Sequence, residues 1–244
     1  MQNKIYVNSY QFDANLACYC ASEALFNDCC GNHAPDRKIP NGIVIVKDFL
    51  SRAQCQSFIR FADKQKRAWL MINDEEKSTE KKVVGKRDPS RVTQHVDIGK
   101  KQTLVEDWIR SAVSNCVQPI MGKRAQWFEQ PQLLRYGPGG RYTAHSDADH
   151  FDYDASQYFR AIDRDFSLLI YLNDDYEGGG LRFIGQDYTY QPEAGSLVFF
   201  PSNNMYTHES LPITRGKKYA LVSWGAAMGS ARVSARPNYR VITV

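Results

Sequence analysis

The feature that most constrains the fold is a change of pattern near residue 126, where helical periodicity gives way to short strands. Turn signals separate most of these strands, such as Gly-Pro-Gly-Gly at 137–140 and Glu-Gly-Gly-Gly at 177–180. The candidate strands are 126–136, 166–173, 181–184, 188–191, 196–200, 205–208, 218–224 and 239–244. Helices followed by many short strands predict a mainly β protein, a sandwich or jelly roll with flanking helices on one side.

Two amphipathic helices are expected ahead of these strands. The first follows a buried strand at 43–46 and opens with a Ser-x-x-Gln capping box at 51–54. The second is expected to open with a Thr-x-x-Glu box at 103–106 and to end at Pro119, because proline cannot continue a helix.

The chain of 244 residues can bury one sizeable core, so we expect one main domain at 39–244 after an N-terminal extension at 1–38. Four of the six cysteines cluster in this extension near His33: Cys18, Cys20, Cys29 and Cys30. The cluster could bind zinc or form disulfides, but it lacks the usual paired C-x₂-C spacing, and reduced thiols are the favoured interpretation. Cys55 and Cys116 lie on apolar helix faces and are expected in the core.

Charge and hydropathy limit the expected partners. The net charge of +4 is mild, and no basic stripe is interleaved with aromatic residues, so a nucleic-acid partner is not expected. No apolar run approaches the roughly 18 residues of a membrane span. The N-terminus also lacks the pattern of a secretory signal, so we expect a cytoplasmic protein without a membrane partner. The charged stretch 72–93 is interpreted as a solvated loop, with a lid over a site as the alternative.

Three residues form a candidate metal site. His145 and Asp147 would point to the same side of an extended strand, and His208 on a facing strand would complete the set. Two imidazoles and one carboxylate can hold Fe(II) and leave other coordination positions open. Lys218 follows and could pair with a carboxylate of a co-substrate. His150 is an alternative ligand, although its strand parity opposes that of the pair.

Three motifs, in order along the chain, carry a family resemblance. They are Tyr-Gly-Pro-Gly-Gly-Arg-Tyr-x-x-His-x-Asp at 136–147, Tyr-Leu-Asn at 171–173 followed by Glu-Gly-Gly-Gly-Leu-Arg-Phe at 177–183, and His-Glu-Ser-Leu-Pro-Ile-Thr-Arg-Gly-Lys-Lys-Tyr at 208–219. Together they resemble the prolyl 4-hydroxylase-like Fe(II)/2-oxoglutarate-dependent dioxygenases, over roughly 40–226. The resemblance implies a double-stranded β-helix core of the jelly-roll or cupin-like kind.

The resemblance also implies a role for each matching residue. His145, Asp147 and His208 correspond to the iron ligands. Lys218 corresponds to the basic residue that pairs with the C5 carboxylate of 2-oxoglutarate, and Tyr136 to a tyrosine that hydrogen-bonds the same co-substrate. The implied cofactors are Fe(II), 2-oxoglutarate and O₂, with ascorbate as a further candidate.

Other residues are expected around this centre. Tyr142 and Trp224 are expected to line the site. On a strand, Lys218 shares its parity with Trp224, while Lys217 faces the opposite side, and Arg215 is the fallback partner of the co-substrate. Four residues after the ligand pair could contact a substrate, although a solvated loop is the favoured interpretation: Tyr153, Tyr158, Arg160 and Arg164.

The reaction implied by the resemblance is hydroxylation of an unactivated C–H bond, with 2-oxoglutarate converted to succinate and CO₂. Asp147 favours hydroxylation over halogenation, because halogenases of this type lack the carboxylate. The expected substrate is a prolyl or other amino-acid residue in a peptide or protein, and the alternative is a free amino acid or natural product. Leu181 stands where many prolyl hydroxylases have Thr. A nucleic-acid demethylase and a non-catalytic binding module are the remaining alternatives.

Overall fold

The computed structural model describes residues 5–6, 39–73, 85–235 and 237–244, and its centre is a jelly roll of two antiparallel sheets. Across the larger sheet the strands run in the order Val44–Val46, Leu197–Pro201, Phe166–Tyr171, Lys218–Ala227, Gln132–Tyr136, Gln94–Val96 and Arg67–Trp69. Ala125–Glu129 pairs with Lys218–Ala227 and with Val241–Thr243. The predicted mainly β fold with flanking helices is therefore confirmed.

The larger sheet is buried on both faces, and its side chains alternate between two cores. In Leu197–Pro201, Leu197 and Phe199 pack with the helices, whereas Val198 and Phe200 pack toward the smaller sheet. This alternation follows from the two-residue period of a strand. It leaves a cleft between the two sheets into which every second residue of the central strands points.

The smaller sheet forms the other wall of that cleft. Its strands run in the order Tyr188–Tyr190, Leu181–Phe183, His208–Ser210, Arg141–His145 and Arg91–Val92. Leu181 and Phe183 are buried against the larger sheet, while Arg182 between them is exposed. The smaller sheet therefore has one apolar face and one solvated face, as antiparallel sheets commonly do.

Three minor sheets complete the strands of the described chain. Ile5–Tyr6, Gln157–Arg160 and Asp149–Asp152 form one of them. Glu177–Gly178 pairs with Ile213–Arg215, and Ile72–Asn73 pairs with Gly85–Lys86. The region after the candidate ligand pair was expected to be a solvated loop, but Asp149–Asp152 and Gln157–Arg160 form a hairpin there.

The first helix, Arg52–Ala62, begins as the sequence predicts. The Ser51 hydroxyl accepts a hydrogen bond from the Gln54 amide, and the Gln54 side chain accepts one from the Ser51 amide, which completes the capping box. Cys55, Phe58 and Ala62 are buried against the larger sheet.

The second helix, Gln102–Ala112, differs from the prediction at both ends. It follows a 3₁₀ turn at Gly99–Lys101 and has no side-chain cap, so the expected Thr-x-x-Glu box is wrong. Glu106 instead accepts a hydrogen bond from the Gln102 side chain. The preceding turn accepts the Gln102 amide hydrogen bond, which reduces the need for a capping side chain.

Pro119 does not end the second helix. The helical run continues through a π-helical segment, Val113–Val117, into Gln118–Met121, and ends at Gly122 with a φ of 61°. Pro119 lies in the first turn of the last segment, directly after the π-helical segment, and thus not in the interior of either helical segment. Glycine then adopts the left-handed conformation that closes the helix.

Two further strand predictions need correction. The expected strand at 205–208 is a 3₁₀ turn, Asn204–Tyr206, capped by the Asn203 side chain, and the strand begins only at His208. The expected strand at 126–136 is broken at 130–131 into two strands. Proline at 131 cannot donate a ladder hydrogen bond, which accounts for the break.

Some predictions fall outside the described residues. These are the cluster of Cys18, Cys20, Cys29 and Cys30 with His33, and the part of the 72–93 stretch at 74–84. The division between an extension at 1–38 and a domain at 39–244 therefore stays a prediction. Within the described chain, no helix combines the length and apolarity that crossing a membrane requires.

Candidate active site

The three candidate metal ligands meet at one end of the cleft. His145 ends the strand Arg141–His145, and it pairs directly with His208 at the start of the neighbouring strand. The two histidines therefore lie on adjacent strands of one sheet, which corrects the expectation of facing strands. Asp147 follows two residues after His145. One ligand atom from each of the three lies within 4.8 Å of the others.

Backbone carbonyls orient both imidazoles. Nδ1 of His145 is 2.8 Å from the Thr143 carbonyl oxygen, and Nδ1 of His208 is 2.9 Å from the Tyr206 carbonyl oxygen. If each Nδ1 carries the proton and donates it to its carbonyl, both Nε2 atoms keep a free lone pair for a metal. Each Nε2 atom lies 3.6 Å from an oxygen of Asp147.

The protonation states also suit a metal. Burial, together with the neighbouring His208, lowers the pKa of His145, so its imidazole is neutral near pH 7. Burial alone would raise the pKa of Asp147, but the two imidazoles, Arg164 and the Ser167 hydroxyl outweigh it and lower that pKa. The Ser167 hydroxyl donates a 2.6 Å hydrogen bond to the Asp147 carboxylate. Neutral imidazoles and an ionised carboxylate are the forms that bind metals.

The separations fit one metal ion. Metal–ligand distances of about 2.1 Å place neighbouring ligand atoms about 3 Å apart. The observed 3.6 Å between each Nε2 and Asp147 then needs only a small closure of the side chains. Two imidazoles and one carboxylate on one side of the ion are the donor set of non-haem Fe(II) oxygenases.

Lys218 lies in the same cleft and is only 2% exposed. Its ammonium group donates hydrogen bonds to the Gly179 carbonyl at 2.7 Å and to the Ser210 hydroxyl at 2.6 Å. Within the described chain no carboxylate pairs with it, and burial lowers its pKa to about 7. A buried ammonium group without an anion is costly, so the cleft is prepared to receive an anion here.

All seven residues expected at the site line a single pocket. They are His145, Asp147, His208, Lys218, Tyr136, Tyr142 and Trp224. Lys217 and Arg215, by contrast, are exposed, and Arg215 pairs with Glu177 at 2.5 Å, so neither reaches the pocket. Lys218 and Trp224 thus point to the same side of the strand Lys218–Ala227, as the sequence predicts.

A β-bulge brings Tyr142 and His145 to the same side. The strand register shifts between them, since Tyr142 pairs with Ser210 while His145 pairs with His208. On a regular strand, side chains three residues apart point to opposite sides. The bulge inserts one extra residue between Tyr142 and His145, so both side chains point to the same side. The Tyr142 ring stacks on the His145 ring at 3.6 Å, with an angle of 18° between their planes.

Arg164, for which the sequence favoured a solvated loop over a substrate contact, lies beside the candidate site. Its guanidinium donates two hydrogen bonds to the Glu129 carboxylate, at 2.5 and 2.8 Å, and one to the Asp147 backbone carbonyl at 3.1 Å. It also lies 3.9 Å from the Trp224 ring. It is thus part of the wall beside the metal ligands and not a solvated loop residue. Its contacts span distant segments, so no local sequence signal marked it.

The remaining candidates lie away from the ligands. His150 is exposed on the hairpin and contacts Phe159, and the metal-ligand group does not include it. Tyr153 and Tyr158 are exposed and pack around Phe151 on the same hairpin. The pocket also contains Arg91 and Ser210, to which the sequence gave no role: Arg91 lies in the charged stretch 72–93, and Ser210 lies within the 208–219 motif without a role of its own there.

Comparison with known proteins shows what this chain resembles. Residues 131–225 match the 2OG-Fe(II) oxygenase superfamily. Over 126 residues the chain is 30% identical to a PKHD-type hydroxylase of Synechococcus sp. (strain JA-2-3B'a(2-13)), which covers 51% of this chain and 54% of the relative. The chain therefore spans about half the length of this curated relative.

Two solved structures share the fold. A viral collagen prolyl hydroxylase from Paramecium Bursaria Chlorella virus-1, in complex with 2OG, has a TM-score of 0.52 and 22% identity, and covers 76% of this chain and 96% of that one. A prolyl-4-hydroxylase of Pseudomonas putida has a TM-score of 0.50 and 22% identity, and covers 77% and 94%. The family match and the PKHD-type hydroxylase relative bear out the resemblance to prolyl 4-hydroxylase-like Fe(II)/2-oxoglutarate dioxygenases drawn from the sequence, and the two solved structures share the fold of this chain.

Proposed function

We propose that this protein is an Fe(II)- and 2-oxoglutarate-dependent dioxygenase that hydroxylates an unactivated C–H bond. Its catalytic domain is 39–244, and His145, Asp147 and His208 are its iron ligands. The observation that carries the proposal is the buried, carboxylate-free Lys218 in the same pocket as these ligands. A metal site alone fits many enzymes, but a metal site with a buried cation fits a co-substrate that has a carboxylate at its far end.

Three pocket residues bind the co-substrate in this function: Lys218, Ser210 and Tyr136. Lys218 pairs with the distal carboxylate of 2-oxoglutarate, and Ser210, which already accepts a hydrogen bond from Lys218, fixes its direction. Tyr136 lies with its ring 4.6 Å from the Lys218 ammonium and contacts the same co-substrate. Bound Fe(II), 2-oxoglutarate and O₂ supply the oxidising power to hydroxylate the C–H bond, releasing succinate and CO₂. Ascorbate is proposed as a further cofactor.

Tyr142 and Trp224 form the side of the pocket where the substrate binds. The Tyr142 ring covers the His145 imidazole, and the Trp224 ring covers the Arg164 guanidinium. Flat aromatic surfaces next to the metal suit a compact apolar group such as a prolyl ring. They also exclude water from the reacting centre.

The proposed substrate is a prolyl or other amino-acid residue of a peptide or protein. The names of similar proteins support it: the relatives include PKHD-type hydroxylases, and a prolyl hydroxylase from Trichoplax adhaerens, with 18% identity and a TM-score of 0.56, was solved with a hypoxia inducible factor peptide fragment. A free amino acid or small natural product is the alternative, because substrate choice depends on loops around the conserved centre.

Mass spectrometry tests the function directly. The protein is incubated with Fe(II), 2-oxoglutarate, O₂ and either proline-containing peptides or free L-proline, and products are weighed. We expect a product heavier by one oxygen atom and a matching amount of succinate. His208→Ala is the control, because losing one ligand destroys the three-sided metal grip. Succinate release that is equal in the wild type and in His208→Ala would refute the proposed metal centre.

A further inference from the structure

Arg91 is a pocket residue to which the proposed function gives no role. It lies on the edge strand Arg91–Val92 of the smaller sheet, paired with Tyr142 on the next strand. Its guanidinium carbon is 4.6 Å from the centre of the Tyr142 ring, and that ring is 3.6 Å from the His145 ring. Together these contacts place the guanidinium no more than about 8 Å from the imidazole of a metal ligand.

The guanidinium of Arg91 has unused hydrogen-bonding capacity. An arginine side chain carries five N–H donors. No residue in the described parts of the chain accepts a hydrogen bond from them, and the Arg91 Nε atom is buried without a partner. Arg164, next to Trp224, differs because Glu129 already accepts hydrogen bonds from its guanidinium. A buried donor without a partner destabilises the folded protein, so such a group is rarely left without a hydrogen-bond acceptor.

Arg91 and Lys218 have different immediate neighbours in the pocket. Lys218 is the buried cation next to Ser210 and Gly179, where the distal carboxylate of 2-oxoglutarate is proposed to lie. His145 occupies one face of the Tyr142 ring, which leaves the opposite face for the Arg91 guanidinium. Arg91 thus lies on the side of the pocket that Tyr142 forms, where the substrate is proposed to bind.

We propose that Arg91 determines substrate specificity by binding a carboxylate of the substrate. A guanidinium matches a carboxylate with two parallel hydrogen bonds. The substrate would then carry a carboxylate within a few bonds of the hydroxylated carbon. Two sources offer that chemistry: the free α-carboxylate of an amino acid, or an acidic side chain beside the target residue of a peptide. This inference rests on the proposed hydroxylase function and names its substrate class.

The test compares probes that differ only in that carboxylate. L-Proline is paired with L-prolinamide, and a proline-containing peptide with Asp beside the proline is paired with the same peptide carrying Asn. Binding of each probe to the protein loaded with Mn(II) and 2-oxoglutarate is measured by calorimetry, and hydroxylation is measured with Fe(II). The variants are Arg91→Gln and Arg91→Lys. Arg141→Gln is the matched control, because Arg141 pairs with Val92 on the same two strands but lies outside the pocket.

We expect the wild type to prefer the carboxylate member of one pair by about 10- to 100-fold, the effect of a hydrogen-bonded charge. Arg91→Gln should lose this preference, Arg91→Lys should keep part of it, and Arg141→Gln should keep all of it. The pair that shows the preference identifies the source of the carboxylate. The KM for 2-oxoglutarate should stay unchanged in Arg91→Gln, which a merely structural role or a co-substrate role would not predict.

Two results would overturn the role of Arg91. One is equal binding, or no binding, of both members of each pair by the wild type. The other is an Arg91→Gln defect confined to the KM for 2-oxoglutarate. Failure of the proposed hydroxylase function would look different: no probe would give succinate, while calorimetry would still decide whether Arg91 discriminates carboxylate from amide.

Discussion

Replacing Lys218 with methionine tests the co-substrate site most directly. Methionine keeps the unbranched apolar stem of the side chain and removes the ammonium group, with its charge and its hydrogen bonds to Gly179 and Ser210, so the apolar packing around this 2% exposed position changes little. The lost interaction is a buried, charge-assisted pair between ammonium and carboxylate. Removing one partner of such a pair costs roughly 2–5 kcal/mol, which corresponds to about 30- to several-thousand-fold weaker binding of 2-oxoglutarate.

The same lysine makes binding of 2-oxoglutarate depend on pH. Without a bound anion, burial lowers the pKa of Lys218 to about 7. The carboxylate binds the protonated form, so its affinity is full below pH 7. As the pH rises above 7, the free protein must take up a proton to bind, and affinity falls by up to about tenfold per pH unit. The decline stops above the higher pKa that Lys218 acquires in the complex.

Calorimetry with 2-oxoglutarate and Mn(II) at pH 6, 7, 8 and 9 provides the measurement. Wild-type affinity should fall across this range, and the weak affinity of Lys218→Met should change far less. Lys217→Met is the matched control, because the neighbouring lysine is exposed and faces away from the pocket. If Lys218→Met bound 2-oxoglutarate as tightly as the wild type, Lys218 would not be the partner of its carboxylate. An equal loss of affinity in Lys217→Met would refute the inference that the two lysines point to opposite sides of the strand.

Three more predictions follow from buried contacts. In the folded protein the pKa of Lys218 is lowered to about 7, while its ordinary value is 10.5. Between these two pH values the unfolded chain binds more protons than the folded one, so the free energy of unfolding of the wild type should rise with pH. In urea unfolding, the free energy of unfolding of the wild type should gain about 3–5 kcal/mol relative to that of Lys218→Met over this range. Parallel pH profiles of the two proteins' stability would contradict this. Ser167→Ala removes the hydroxyl that hydrogen-bonds the Asp147 carboxylate, and should weaken Mn(II) binding about 10- to 100-fold by calorimetry; wild-type affinity would argue against this role. Gly225→Ala places a methyl carbon 2.1 Å from the Phe166 ring, and thermal unfolding should show a loss of about 1–3 kcal/mol. Gly137→Ala is the control and should show little loss, because its methyl carbon would meet only the Arg135 side chain, at 4.0 Å. Equal losses in the two variants would contradict this reasoning.

The candidate site was largely predictable because most of its residues belong to short sequence motifs. The identities of His145, Asp147, His208 and Lys218 follow from residue types and order, and the pocket unites them as expected. The parity of Lys218 was predictable because the strand Lys218–Ala227 is regular. Local rules also gave the capping box of the first helix, whose hydrogen bonds lie within four residues.

What the sequence missed depends on contacts between distant segments. Arg164 gains its role from Glu129, which is far away in the chain, and no pattern near Arg164 reveals it. The stacking of Tyr142 on His145 requires a bulge, and simple alternation predicts that these two side chains point apart. Pro119 predicts a helix end, because no local sequence signal indicates that the helix continues after a π-helical segment.

The direct pairing of His145 with His208 has a consequence for how this site tolerates change. Their separation is set by the ladder of two adjacent strands and not by the length of chain that joins them. Insertions in the turns between the two strands can therefore accumulate without moving the ligands apart. A slip of one residue between the strands, however, would turn His208 to the opposite face and abolish the site. The geometry of this candidate metal centre thus depends on strand register and tolerates changes in loop length.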